Sequence, residues 1–195
     1  FANNFRTLIQ SGLPINIHSV GFQNSQQNVA ANATGMQTIT FSTRKRSVKS
    51  VLTTLRVNSQ LTEIKCNGSS GFKNNNATDY QYSVGGRRIP SAPIHYDSNL
   101  RGITSDVSTA GVAYMQPVAT DTTLSSKCAF ALDLESYGEG LSGMNLAGQG
   151  LPLVLHLNCG ATGAASVGAL LADLYVIHDV IFTLDGVSGT LSASS

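Results

Sequence analysis

Leu174-Tyr175-Val176-Ile177-His178-Asp179-Val180-Ile181-Phe182-Thr183-Leu184 reads as one long β-strand. Leu174, Val176, Val180, Phe182 and Leu184 share one face with His178, and Tyr175, Ile177, Asp179, Ile181 and Thr183 share the other. Alternate side chains of a strand point to opposite faces, so the pattern means sheet with at least one buried face. The run exceeds the usual strand of roughly 5–6 residues. Just upstream, Leu153, Leu155 and Leu157 alternate with Val154, His156 and Asn158. Further back, Cys128, Phe130, Leu132 and Leu134 alternate with Ala129, Ala131, Asp133 and Glu135. Long apolar strands without catalytic punctuation point to a protein whose job is to be a shape.

Composition agrees. The chain has 195 residues, enough for a single domain with a substantial core. Charged residues make up 12%, about half the typical ~25%. Ser, Thr, Asn, Gln and Gly must therefore cover the surface, and such a surface has little to keep it from associating. This fits a subunit that buries much of its exterior against neighbours, and also a secreted sandwich. Net charge is +1, so there is no general electrostatic case for nucleic-acid or anionic-membrane binding. The basic cluster Arg44-Lys45-Arg46 with Lys49 is read as a solvated strand edge, where charge blocks unwanted pairing. Cys66, Cys128 and Cys159 form too sparse and odd a set for a disulfide framework, and Cys128 reads as a buried small hydrophobe. The sequons at Asn32, Asn67 and Asn76 matter only in a secreted protein. The chain opens on Phe1 rather than Met, which fits a processed product or a segment, and it carries neither a signal peptide nor an apolar run of ~18 residues.

Along the chain, strands are expected at 13–22, 37–43, 47–57, 61–66 and 79–84, in addition to the three runs above. The segment 47–57 is ambiguous. Val48, Val51, Leu52 and Leu55 match helical spacing, but three valines and two threonines favour a strand. Polar, Asn-rich 23–35 is expected to be a loop, as is 67–78. Gly85-Gly86 precedes Ile89-Pro90-Ser91-Ala92-Pro93-Ile94, where two prolines favour extended backbone away from central ladder positions. Ser98 to Tyr114 is the best helix candidate, with Ser98 as its cap. Gly138–Gly150 is a glycine-rich connection, and Gly186–Ser195 a fraying tail of small residues. Eight or nine strands, one short helix and long polar loops predict an all-β fold, an antiparallel β-sandwich or jelly roll in one domain over 1–195.

Chemistry-bearing patterns are weak. Gly138-Glu139-Gly140-Leu141-Ser142-Gly143 fits GxGxxG, but no acidic residue follows until Asp173, and Pro152 opens a strand rather than a helix. The βαβ context of a dinucleotide site is missing, so the match reads as turn chemistry. His18, His95, His156 and His178 show no metal-ligand spacing. His178 reads as a satisfied core or interface histidine. No GxSxG elbow occurs. Asp133 and Glu135, two apart on a strand, are the carboxylate pair that could serve glycoside hydrolysis or calcium binding, and are otherwise a polar strand face. Trp is absent, which weakens a lectin or single-strand-binding reading. No catalytic residue, cofactor or metal site is assigned.

Four segments in order resemble the double-jelly-roll major capsid proteins of tailless double-stranded DNA viruses and polinton-like viruses. They are Arg46-Ser47-Val48-Lys49-Ser50-Val51-Leu52, then Tyr82 to Ile94 with its Gly-Gly and two prolines, then Phe130 to Glu135 with Leu141-Ser142-Gly143-Met144-Asn145, and the closing strands 153–157 and 174–184. Such a protein needs about twice this length, so the chain corresponds to one jelly roll, or to a related single-jelly-roll capsid or vertex protein. The resemblance supports strand over helix at 47–57. It implies a structural, non-enzymatic subunit of an icosahedral virion. Its partners would be copies of itself and other capsid proteins, with no specific nucleic acid and no small-molecule substrate. Arg87, Arg88, Pro90 and Pro93 are the expected subunit contacts, with the 67–78 loop exposed at one end. The alternatives are a secreted β-sandwich adhesin or carbohydrate-binding module, and a jelly-roll enzyme using Asp133 and Glu135.

Overall fold

In a computed structural model that describes residues 6–7, 10–30, 34–58, 77–95, 129–135, 143–148, 152–159 and 169–194, the apolar alternations become strands of two antiparallel sheets. In chain order they are β1 (Ile15–Val29), β2 (Gly35–Phe41), β3 (Val48–Val57), β4 (Ala77–Val84), β5 (Arg87–His95), β6 (Ala129–Asp133), β7 (Leu153–Cys159), β8 (Leu170–Leu184) and β9 (Leu191–Ser194). One sheet is ordered β1-β8-β3-β6, with β9 also on β8, and the other β2-β7-β4-β5.

The pairings are nested. Strand β1 pairs with β8, β2 with β7, β3 with β6 and β4 with β5, all antiparallel. That is one long antiparallel ladder doubled back on itself at the β4–β5 turn. Rolling the ladder adds the pairs β3·β8 and β4·β7, which join the nested pairs into the two sheets. The result is the jelly roll, the double-sheet solution to the problem of exposed sheet edges.

The core lies between the sheets. Leu153, Leu155 and Leu157 of β7, Val51 and Leu55 of β3, and Leu170, Leu174 and Val176 of β8 are all 0% exposed. Two tyrosines of β4 cross it. The Tyr80 hydroxyl donates to the Ala131 carbonyl at 2.9 Å, and the Tyr82 hydroxyl reaches the Phe130 carbonyl and Thr53 Oγ1, both at 2.8 Å. The Tyr80 ring meets Phe130 edge-on, with centroids 5.2 Å apart at 68°. Full burial holds the Tyr82 phenol far above its ordinary pKa, so it stays protonated and able to donate.

Several expectations are corrected. The segment 23–35, expected as a loop, is strand up to Val29, in unbroken register with Val176–Leu170. Its side chains are polar because β1 is an edge strand; Asn24 Nδ2 donates to the Leu174 carbonyl at 3.2 Å. The tail does not fray: Asp185 accepts from the amides of Val187 and Ser188 and from Ser188 Oγ, forming a turn that returns Leu191–Ser194 onto β8. Segment 47–57 is strand, as the resemblance implied. The expected helix 98–114, the strand 61–66, most of the 67–78 loop, Cys66, Cys128 and the three sequons lie outside the described residues.

Of the glycine-rich connection, residues 143–148 are described. Met144 bridges Val48 through paired backbone bonds of 2.8 and 2.9 Å. A Cβ on Gly143 would sit 2.4 Å from the Ser47 carbonyl carbon, so glycine alone permits this contact.

Replacing Tyr82 with Phe should lower stability by about 1–3 kcal/mol, because Phe130 O and Thr53 Oγ1 lose a buried partner while the packing stays almost unchanged. A fall in the urea midpoint at constant slope checks this.

Candidate subunit interface

Strand β5 carries all four residues expected at a subunit contact. Gly85 and Gly86, at φ of 56° and 83°, make the two-residue turn that hands the chain from β4 to β5. This leaves β5 on the edge of its sheet, where a proline costs no ladder bond. The ladder is irregular at the prolines. Tyr82 pairs with Ile89 and Tyr80 with Ile94, so 90–93 bulges away from a much shorter stretch of β4. The Ile89–Pro90 bond is cis. Gln81 Nε2 donates to the Pro90 carbonyl at 2.7 Å and anchors the bulge.

The structure splits the expected contact set. Arg87 pairs with Val84 and Arg88 with Ser83, so the two arginines belong to opposite faces. Arg87, Arg88 and Pro93 are exposed, and Pro90 is half-buried. Arg88 is turned back onto its own sheet, where Nη1 donates to Gln81 Oε1 at 3.2 Å. Beside it, Ser83 Oγ lies 2.8 Å from His156 Nε2. Burial, and secondarily the Arg88 charge, lower the His156 pKa from its ordinary 6.5. Both arginines are therefore exposed to solvent, but Arg88 also joins a polar cluster with Gln81, Ser83 and His156 on the face opposite Arg87. That cluster escaped the sequence reading, although Gln81 and Ser83 alternate with Tyr80 and Tyr82 and so announced the outer face.

The remaining sequence candidates have structural duties. Glu135 Oε1 receives Lys49 Nζ at 3.0 Å, and Lys49 also reaches Asp179 at 3.3 Å. Lys49 sits where a register shift interrupts β3, and its pKa is raised chiefly by the Glu135 bond. Asp133 Oδ1 accepts the Glu135 amide at 3.0 Å. The two carboxylates thus organise a strand end. His178 is 3% exposed on the core face, over Gly21, where an added Cβ would meet its ring at 2.7 Å. On the outer face of β8, fully buried Asp173 is gripped by Arg56 and by Gln26 Nε2 at 2.7 Å. No signal but an acid within an apolar run marked it in the sequence. No cluster of three metal-ligating residues occurs among the described residues, nor does a helix long and apolar enough to cross a membrane.

A cleft of about 290 Å³ opens beside the start of β3, lined by Thr40, Phe41, Thr43, Arg44 and Leu146 among others. Exposed apolar side chains collect elsewhere. Val20, Phe22 and Tyr175, at 47%, 77% and 38% exposure, lie on one face of β1 and β8.

No family model matches the chain, and no curated protein matches it. Among solved structures it is similar to the major capsid protein P2 from bacteriophage PM2, with 11% identity and a TM-score of 0.43. The match covers 83% of this chain and 44% of that one, so the chain spans less than half the length of that protein.

Removing the Arg88 charge as Arg88→Gln should move the His156 titration upward, but not fully to 6.5, because burial is the larger cause. NMR titration of the imidazole checks this. With the folded pKa depressed, protonation favours the unfolded chain, so the His156 contribution to stability should fall as pH drops below about 6.5.

Proposed function

We propose that this chain is a structural subunit of a viral capsid, self-associating into capsomers of an icosahedral shell, with no catalytic role. The observation that carries the reading is the nested jelly-roll topology, combined with a surface poor in charge. Five of the charges are paired with one another, in the Lys49–Glu135–Asp179 and Arg56–Asp173 groups. Beside exposed cations such as Arg44, Arg46 and Arg87, the surface is largely uncharged and partly apolar, suited to broad contacts with neighbours. The sequence segments that resemble double-jelly-roll capsid proteins support the same reading. The partners would be copies of the chain and other shell proteins, and the location the virion.

The cleft favours a second reading, a carbohydrate-binding module, because the exposed Thr40 and Arg44 of its lining offer a hydroxyl and a guanidinium. An oligosaccharide screen on a monomeric protein would support it.

Light scattering across concentration tests the main reading: trimers, pentamers or larger closed assemblies are expected, and a strict monomer overturns it. Arg87→Glu should weaken assembly while leaving the far-UV circular dichroism and urea midpoint of the subunit unchanged.

A further inference from the structure

We infer that two copies of this chain join edge to edge through β1, continuing one sheet across a two-fold axis near Phe22. The inference rests on the self-assembly reading and names the surface that carries it.

Strand β1 is 15 residues long, pairs with β8 in unbroken register from Ile15 to Val29, and has no strand on its other side among the described residues. Such an edge offers a row of backbone donors and acceptors that only another strand satisfies in full. Exposed edges are ordinarily blunted by lysine, proline, a bulge or an inward charge. Ile15–Val29 contains no Lys, Arg, Asp, Glu or Pro, and its register shows no bulge. The other long edge strand of the molecule contrasts with it: β5 carries Arg87, Arg88, two prolines and a bulge.

A second observation falls on the same edge. Phe22 stands in the middle of β1 and is 77% exposed, with Val20 on the same face and Tyr175 on the adjoining strand. An apolar patch beside an unprotected edge marks a contact rather than a solvated border.

The occupant follows from symmetry and charge. An isologous contact sets each surface against itself. Antiparallel pairing of β1 with its own copy about Phe22 puts Phe22 opposite Phe22, Val20 opposite Asn24 and His18 opposite Gln26. No formal charge opposes another anywhere along the strand, since it carries none. The two exposed phenyl rings cover each other, and aromatic cross-strand pairs are among the stabilising ones. A partner of strong charge would find no counter-charge here.

The test uses Phe22→Cys and, as a control, Asn28→Cys, oxidised mildly beside the wild type with its native cysteines. Directly opposed residues have Cα atoms about 4.5–5.5 Å apart, inside the range a disulfide spans. Residue 28 would face residue 16 of the other copy, far from its own equivalent. F22C should therefore convert to a disulfide-linked species of doubled mass, while N28C and the wild type should not. Phe22→Lys, which sets like charges opposite, should shift association to higher concentration in light scattering. Wild type that assembles while F22C stays unlinked, or links no better than N28C, and while F22K assembles normally, overturns this interface and leaves the capsid reading standing. Wild type that stays monomeric at every concentration overturns both.

Discussion

Tyr80 and Tyr82 hold the two sheets in one relation. Each ring crosses the core from β4, and each hydroxyl ends on a main-chain oxygen of β6, with Thr53 as a further partner. A buried hydroxyl without a partner is costly, so the sheets cannot slide without breaking these bonds. Apolar packing alone is non-directional and would tolerate many offsets. The tyrosines select one, and the leucines of β7 and the aliphatic face of β8 fill the space around them.

The same arrangement shapes the exterior. Because the tyrosines occupy the inner face of β4, Gln81 and Ser83 must take its outer face, where they gather Arg88 and His156. Because β8 sits between β1 and β3, its Asp173 is fully enclosed and needs Arg56 and Gln26 as partners. In a chain with 12% charged residues, the composition itself keeps the surface ions few. Among the edge strands of the described residues, β5 is guarded by charge and proline and β1 is not.

The strands most legible in the sequence were those buried on one face and alternating on the other. Residues 153–158 read plainly because leucine recurs at every second position, and 174–184 because apolar residues alternate there, with Val176, Val180 and Phe182 on one face. Pro90 and Pro93 announced extended backbone outside a central ladder, since proline cannot serve one, but not that it would pair as strand β5. The half of β1 from Gln23 to Val29 was illegible. Its polar side chains match a loop by composition, and only pairing with β8 makes it a strand. The return strand 191–194 was hidden likewise, because Asp185 builds its turn from hydrogen bonds that small residues do not advertise. Of the expected contact set, the exclusion of Pro90 and Pro93 from a central ladder was legible, but the edge pairing of β5 and the separation of Arg87 and Arg88 onto opposite faces depended on register.

By itself, then, the sequence determined that the chain is an all-β sandwich with a sparsely charged surface, because period-two apolarity and composition are local properties. The tertiary structure decided the nesting of the ladder, the partners of Asp173 and Glu135, the pairing of Arg88 with Gln81 and the exposure of Phe22. Each of these depends on which strand lies beside which, and strand pairing joins residues up to 169 positions apart, as between Ile15 and Leu184. Such distant neighbours leave no periodic trace in the chain that encodes them.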